Sequence, residues 1–85
     1  MNVQPSPHAI LIDCLAQDGL LAEAQELDDL LRRVAWTTGS EFAGEFGLAL
    51  KKLKAAHWGR MSDRTKQAFK TAAAAVRQVW PKMGL

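Results

Sequence analysis

The sequence predicts an all-α fold, an irregular antiparallel bundle of four helices, on three observations. Apolar residues recur at helical spacing through most of the chain. Helix-start pairs (Ser6-Pro7, Ser40-Glu41, Ser62-Asp63) stand at the head of three of these runs. Breakers close them, at Asp18-Gly19, Thr37-Thr38-Gly39, Gly59 and Pro81. With 85 residues the chain reads as one domain, 1–85. A chain of this size buries only roughly 60–65% of the surface it exposes when unfolded, so its stability margin is thin.

Residues 1–5 read as a loose arm. Ser6 is a good N-cap and Pro7 suits the first helical position, where the amide it lacks would be unsatisfied anyway. The first helix is expected over 7–17, apolar around most of its circumference through Ile10, Leu11, Cys14 and Leu15. Asp18-Gly19 stops it, the glycine supplying a left-handed residue. The second helix is expected over 20–36. There Leu20, Ala24, Leu27, Leu31 and Val34 form a packing seam, and Glu23, Glu26, Asp28 and Asp29 form a solvated face.

Thr37, Thr38 and Gly39 weaken the helix after Trp36, and Ser40 is the expected N-cap of a third helix over 41–57. Ser40, Ala43, Gly44 and Gly47 then lie along one narrow stripe of small residues, while Phe42, Phe46, Ala49, Leu50 and Leu53 form a bulkier one. Each interior glycine costs roughly 1 kcal/mol relative to alanine. The small stripe is therefore read as a place where another backbone comes close, from this chain or from a second copy. Ser62 caps a fourth helix, expected over 62–80 and ended by Pro81. Trp36, Trp58 and Trp80 each end a helix and read as lids on the core. The expected core is Ile10, Leu11, Cys14, Leu15, Leu27, Leu31, Phe46, Leu50, Leu53, Phe69, Val76 and Val79.

Charge is polarised along the chain. Residues 1–45 hold eight acidic and two basic residues, whereas residues 46–85 hold nine basic and one acidic. This pattern describes either two helical layers that attract each other or a basic half that binds a polyanion. The basic face consists of Lys51, Lys52, Lys54, Arg60, Arg64, Lys66 and Lys70. Reading helix three, Gly59 and helix four as helix-turn-helix places Ala55 and Trp58 well. It also puts Lys54, Arg60 and Thr65 where that motif wants buried apolar residues.

No catalytic constellation is expected. His8 and His57 are far apart and outside any zinc-ligand spacing, and Cys14, the single cysteine, has no base near it in sequence. Asp28 and Asp29 are adjacent and point to different sides of their helix. No metal or cofactor is expected. The lone cysteine fits a reducing compartment, and no apolar run approaches the ~20 residues of a membrane span. The expectation is a cytoplasmic, non-enzymatic interaction module: an adaptor, an inhibitor, or an antitoxin-like or immunity-like protein. Its partner would be a protein, foremost a second copy in a homodimer meeting at Ser40, Ala43, Gly44 and Gly47. The alternative is a small DNA- or RNA-binding regulator using the basic half.

Overall fold

A computed structural model describes residues 6–32 and 39–85. Four helices, α1 (Pro7–Gln17), α2 (Leu21–Arg32), α3 (Gly39–His57) and α4 (Asp63–Val79), pack as an all-α bundle, with a 3₁₀ turn at Trp58–Arg60 between the last two. Its main contacts form a ring: α1 packs on α2 and α4, and α3 packs on the same two from the other side. The acidic α2 and the basic α4 therefore occupy opposite corners.

Local chemistry sets each boundary. Ser6 Oγ accepts from the amide of Ala9 at 3.1 Å, and Pro7 opens α1. Two crossed bonds close the helix: the amide of Gly19 donates to Ala16 O and that of Leu20 to Leu15 O, at 3.1 and 2.9 Å. This is a Schellman closure, and it needs a left-handed residue between the two donors. Gly19 supplies it at φ +82°, and Leu20 is then turned into the core at 1% exposure. Along α2, Arg32 pairs with Asp28 at 2.9 Å and Gln25 donates to Asp29 at 2.8 Å, both one helical turn apart. The remainder of the expected second helix, including Arg33, Val34 and Trp36, lies outside the described residues, as do the expected arm at 1–5 and the turn residues Thr37 and Thr38.

Helix α3 starts two residues earlier than expected, with Gly39 already helical. Ser40 is thus not an N-cap; it sits inside the first turn. A glycine is tolerated there because the first-turn amides make no intrahelical bond that it could weaken. At α4 the expected cap is present: Ser62 Oγ accepts from the amide of Thr65 at 3.3 Å. Trp80 caps the other end, and Pro81 prevents continuation.

The core gathers Leu11, Cys14, Leu15, Leu20, Leu27, Phe46, Leu50, Leu53, Phe69 and Val76, with Met61 and the alanines Ala24, Ala68, Ala72 and Ala73 filling between them. Three expected core positions differ. Ile10 and Val79 are exposed, at 43% and 45%, and Leu31 is only half-buried. A helix packed on two neighbours buries one face, and in α1 that face is Leu11, Cys14 and Leu15, leaving Ile10 on the flank. Val79 and Leu31 stand in the last turns of their helices, where fewer neighbours reach them.

One polar cluster joins the end of α1 to the start of α4. Asp18 Oδ2 accepts from the Ser62 amide at 2.9 Å and from the Thr65 hydroxyl at 2.6 Å. Ser62 Oγ and Thr65 Oγ1 lie 3.0 Å apart, and since the Thr65 proton is given to Asp18, Ser62 is the donor between them. A carboxylate at the positive end of α4 is favourable on dipole grounds as well. Thr65 is 1% exposed, so the polar residue that fits a helix-turn-helix poorly is here a buried, satisfied link between helices.

Candidate interaction surface

The small-residue stripe of α3 is covered from within the chain. Trp80 lies over Gly44, where an added Cβ would meet the indole Nε1 at 3.5 Å. At Gly47 the sulfur of Met83 occupies the space a Cβ would need, with Val76 Cγ1 also only 2.9 Å from that point. Ala43 is buried, and the main-chain carbonyl of Ser40 accepts from Trp80 Nε1 at 2.9 Å. The glycines thus allow the segment after α4 to fold back across α3. The atoms nearest to Gly44 and Gly47 on this stripe belong to the side chains of Val76, Trp80 and Met83.

What faces outward next to that stripe is a ridge. Glu41, Glu45, Leu48, Lys52 and Ala55 are all exposed and follow a four–three spacing, which places them along one line of α3. Leu48 stands in the middle, 57% exposed. A groove runs on each side of it. The one toward α2 measures about 400 Å³ and is lined by Leu30, Ala49, Asp29 and Lys52. The other, toward the chain end, measures about 310 Å³, with Gly44, Trp80 and Met83 as its floor and wall. Trp80 is itself 44% exposed, so the second groove is largely apolar. Sequence reading passed over Leu48. The available signal was an isolated large apolar residue in the line of Glu41, Glu45 and Lys52, off the Phe42/Phe46/Leu53 stripe.

The basic residues divide into separate groups. Lys54 and Lys66 each bring an ammonium to 5.4 Å from the centre of the Trp58 ring, which meets Phe69 edge-on at 5.4 Å. Such a cation–π contact contributes roughly 0.5–1 kcal/mol where water has access. Lys51 lines the same flank, beside Lys54, Ala55 and Leu85, and Lys70 is exposed on α4. The others turn elsewhere. Lys52 leans toward α2, 3.9 Å from Glu26, and Arg64 donates to Gln17 on α1 at 3.2 Å. Arg60 lies 3.5 Å from His57 Nδ1, and His57 in turn is 3.4 Å from Glu23. Three of the seven residues of the expected polyanion face, Lys52, Arg60 and Arg64, are therefore engaged with the molecule's own acidic and polar groups.

Cys14 is buried, as expected of a small core residue. Among the described residues no three His, Cys, Asp or Glu side chains converge on a possible metal position, and no helix is long and apolar enough to cross a membrane. Compared with protein-family models, with curated proteins and with solved structures, the chain gives no significant match.

Proposed function

We propose that this chain is a small, non-enzymatic protein–protein interaction module that works as a homodimer. The observation that carries the reading is Leu48, 57% exposed at the centre of α3 with a groove on either side. A lone exposed leucine is ordinary on a protein surface. One that stands between two grooves, the second walled by a half-exposed tryptophan, has the shape of a contact that another helix completes. Short chains with thin cores commonly gain stability from such association.

Solution mass by multi-angle light scattering, at low salt and again at about 0.5 M salt, tests it. The expected result is twice the chain mass at both. A mass of one chain across the accessible concentration range would remove self-association from the reading.

A second reading rests on Trp58, whose ring lies within reach of two ammonium groups on a flank that also carries Lys51. An anionic partner, nucleic acid above all, would be held there mainly through its phosphates and with a strong dependence on salt. This flank lies beside the helix line of Leu48, so Lys54→Ala with Lys66→Ala separates the two readings. The pair of substitutions abolishes polyanion retention under the second and leaves the dimer intact under the first.

A further inference from the structure

We infer that the Trp58 flank holds single-stranded nucleic acid, a base stacked on the indole and the neighbouring lysines on its phosphates. This rests on the second of the two readings above and names its ligand. The starting point is the set of cations that the molecule leaves unmatched. Among the described residues the ion pairs join Arg32 to Asp28, Lys52 to Glu26 and His57 to Glu23, while Arg64 is turned to Gln17. Lys51, Lys54, Lys66 and Lys70 are met there by no carboxylate. Residues 46–85 contain a single acidic residue, Asp63, and it forms no ion pair with Lys66 one turn further on.

These lysines gather around an aromatic ring. The indole of Trp58 meets Phe69 at an interplanar angle of 79°, and Phe69 is 2% exposed, so the ring is rooted in the core. Lys54 from α3 and Lys66 from α4 bring their ammonium groups over it. Lys51 stands one turn before Lys54, and Lys70 one turn after Lys66, so each pair shares a side of its helix. A groove of about 480 Å³ opens beside the ring, lined by Trp58, Ala55, Leu85, Lys51 and Lys54. Its size falls in the roughly 300–1,000 Å³ range of pockets that hold small organic groups.

The pairing of an aromatic ring with unmatched lysines selects among anions. An ammonium over a ring that water reaches is weakly held, and the lysine stem is flexible. A base can therefore take the ring while the ammonium moves to the adjoining phosphate. Stacking of this kind suits every base, and lysines act as point charges, so the site reads no sequence. A duplex would use only the lysines, because its bases are already stacked on one another. An acidic protein segment would also use only the lysines. Its carboxylates gain nothing from the indole, and they pair best with forked guanidinium groups, which do not line this groove.

The test is fluorescence anisotropy of a labelled oligothymidylate of about 12 nucleotides, titrated with the full chain. The strand should bind about fivefold or more tightly than an abasic strand of equal length, with an affinity that falls as salt rises. Duplex of that length and polyglutamate should both bind more weakly than the single strand. Lys54→Ala with Lys66→Ala should weaken binding by about tenfold or more and flatten the plot of log K against log salt by about 1.4. Trp58→Leu should remove the preference for the strand with bases and leave the salt slope as it was. If circular dichroism shows that Trp58→Leu does not fold, the abasic comparison on the parent chain still decides. Equal, salt-sensitive binding of the two strands would overturn stacking while leaving the polyanion reading standing. Duplex or polyglutamate held as tightly as the single strand would overturn this choice of ligand. No salt-sensitive binding of any of them would overturn both.

Discussion

The indole Nε1–H of Trp80 donates to the main-chain carbonyl of Ser40 across 2.9 Å, tying the end of α4 to the first turn of α3. That bond holds the ring over Gly44 and carries the following residues on toward Gly47, where Met83 comes down. The two glycines therefore answer differently to an added methyl. At Gly44 the new Cβ would make ordinary contact with the indole at 3.5 Å, and the helix gains alanine's propensity. Gly44→Ala should stabilise by up to about 0.5–1 kcal/mol. At Gly47 the flexible Met83 can swing aside, but the β-branched Val76 is fixed on α4, with its Cγ1 2.9 Å away. Gly47→Ala should destabilise by roughly 1–3 kcal/mol in urea unfolding, despite the same gain in propensity. Equal stability of the two variants would mean that Val76 of α4 does not press on α3 at Gly47.

A second prediction concerns the acid side of the pH range. The Thr65 hydroxyl and then the Ser62 amide, both donating to Asp18, hold its carboxyl below the usual carboxylate range. For a depressed carboxylate the stabilisation is present above the unfolded-state value, roughly 3.9, and is lost as pH falls through the folded value. The melting temperature of the parent should therefore drop more steeply below about pH 4 than that of Asp18→Asn, which has no carboxylate to protonate. Thr65→Val keeps the shape of a residue 1% exposed but removes the donor, and should cost roughly 1–3 kcal/mol near neutral pH. A parent and an Asp18→Asn variant with parallel acid limbs would show that the carboxylate does not couple α1 to α4.

Much of this architecture was legible in the sequence because it rests on local chemistry. Ser6-Pro7, Asp18-Gly19 and Ser62-Asp63 act through hydrogen bonds to residues three to five positions away, so their helix ends follow from spacing alone. The same holds for Leu11, Cys14 and Leu15, or Phe46, Leu50 and Leu53, whose periodicity marks them as core. Contacts across the chain were not legible. Asp18 and Thr65 are 47 positions apart, and Trp80 and Ser40 are 40 apart, and nothing in either neighbourhood names the other. The glycine stripe announced that something would come close, but only the fold identifies the covering residues as Val76, Trp80 and Met83. Ile10 was misplaced for a related reason: an apolar run on a short helix does not say which of its faces the neighbours will choose.

The third prediction turns on His8. Its ring packs against Phe46 and Phe42, with centroids 4.2 and 5.6 Å away, and its Nδ1 is shut off from solvent without a hydrogen-bond partner. Burial there disfavours the charged imidazolium and lowers the pKa from its usual 6.5. Above that value the ring is neutral whether the chain is folded or not, and it adds no pH dependence. As pH falls below it, the unfolded chain takes up the proton more readily than the folded one, so stability declines until the folded value is passed. Between pH roughly 7.5 and 5.5 the parent should therefore lose thermal stability, and His8→Leu, which keeps an apolar body against the phenylalanines, should lose less. The decline is separate from that of Asp18, which begins only near pH 4. Two resolved steps in a plot of melting temperature against pH, the upper one absent from His8→Leu, are the expected result. An upper step that survives the substitution would place its origin in another group.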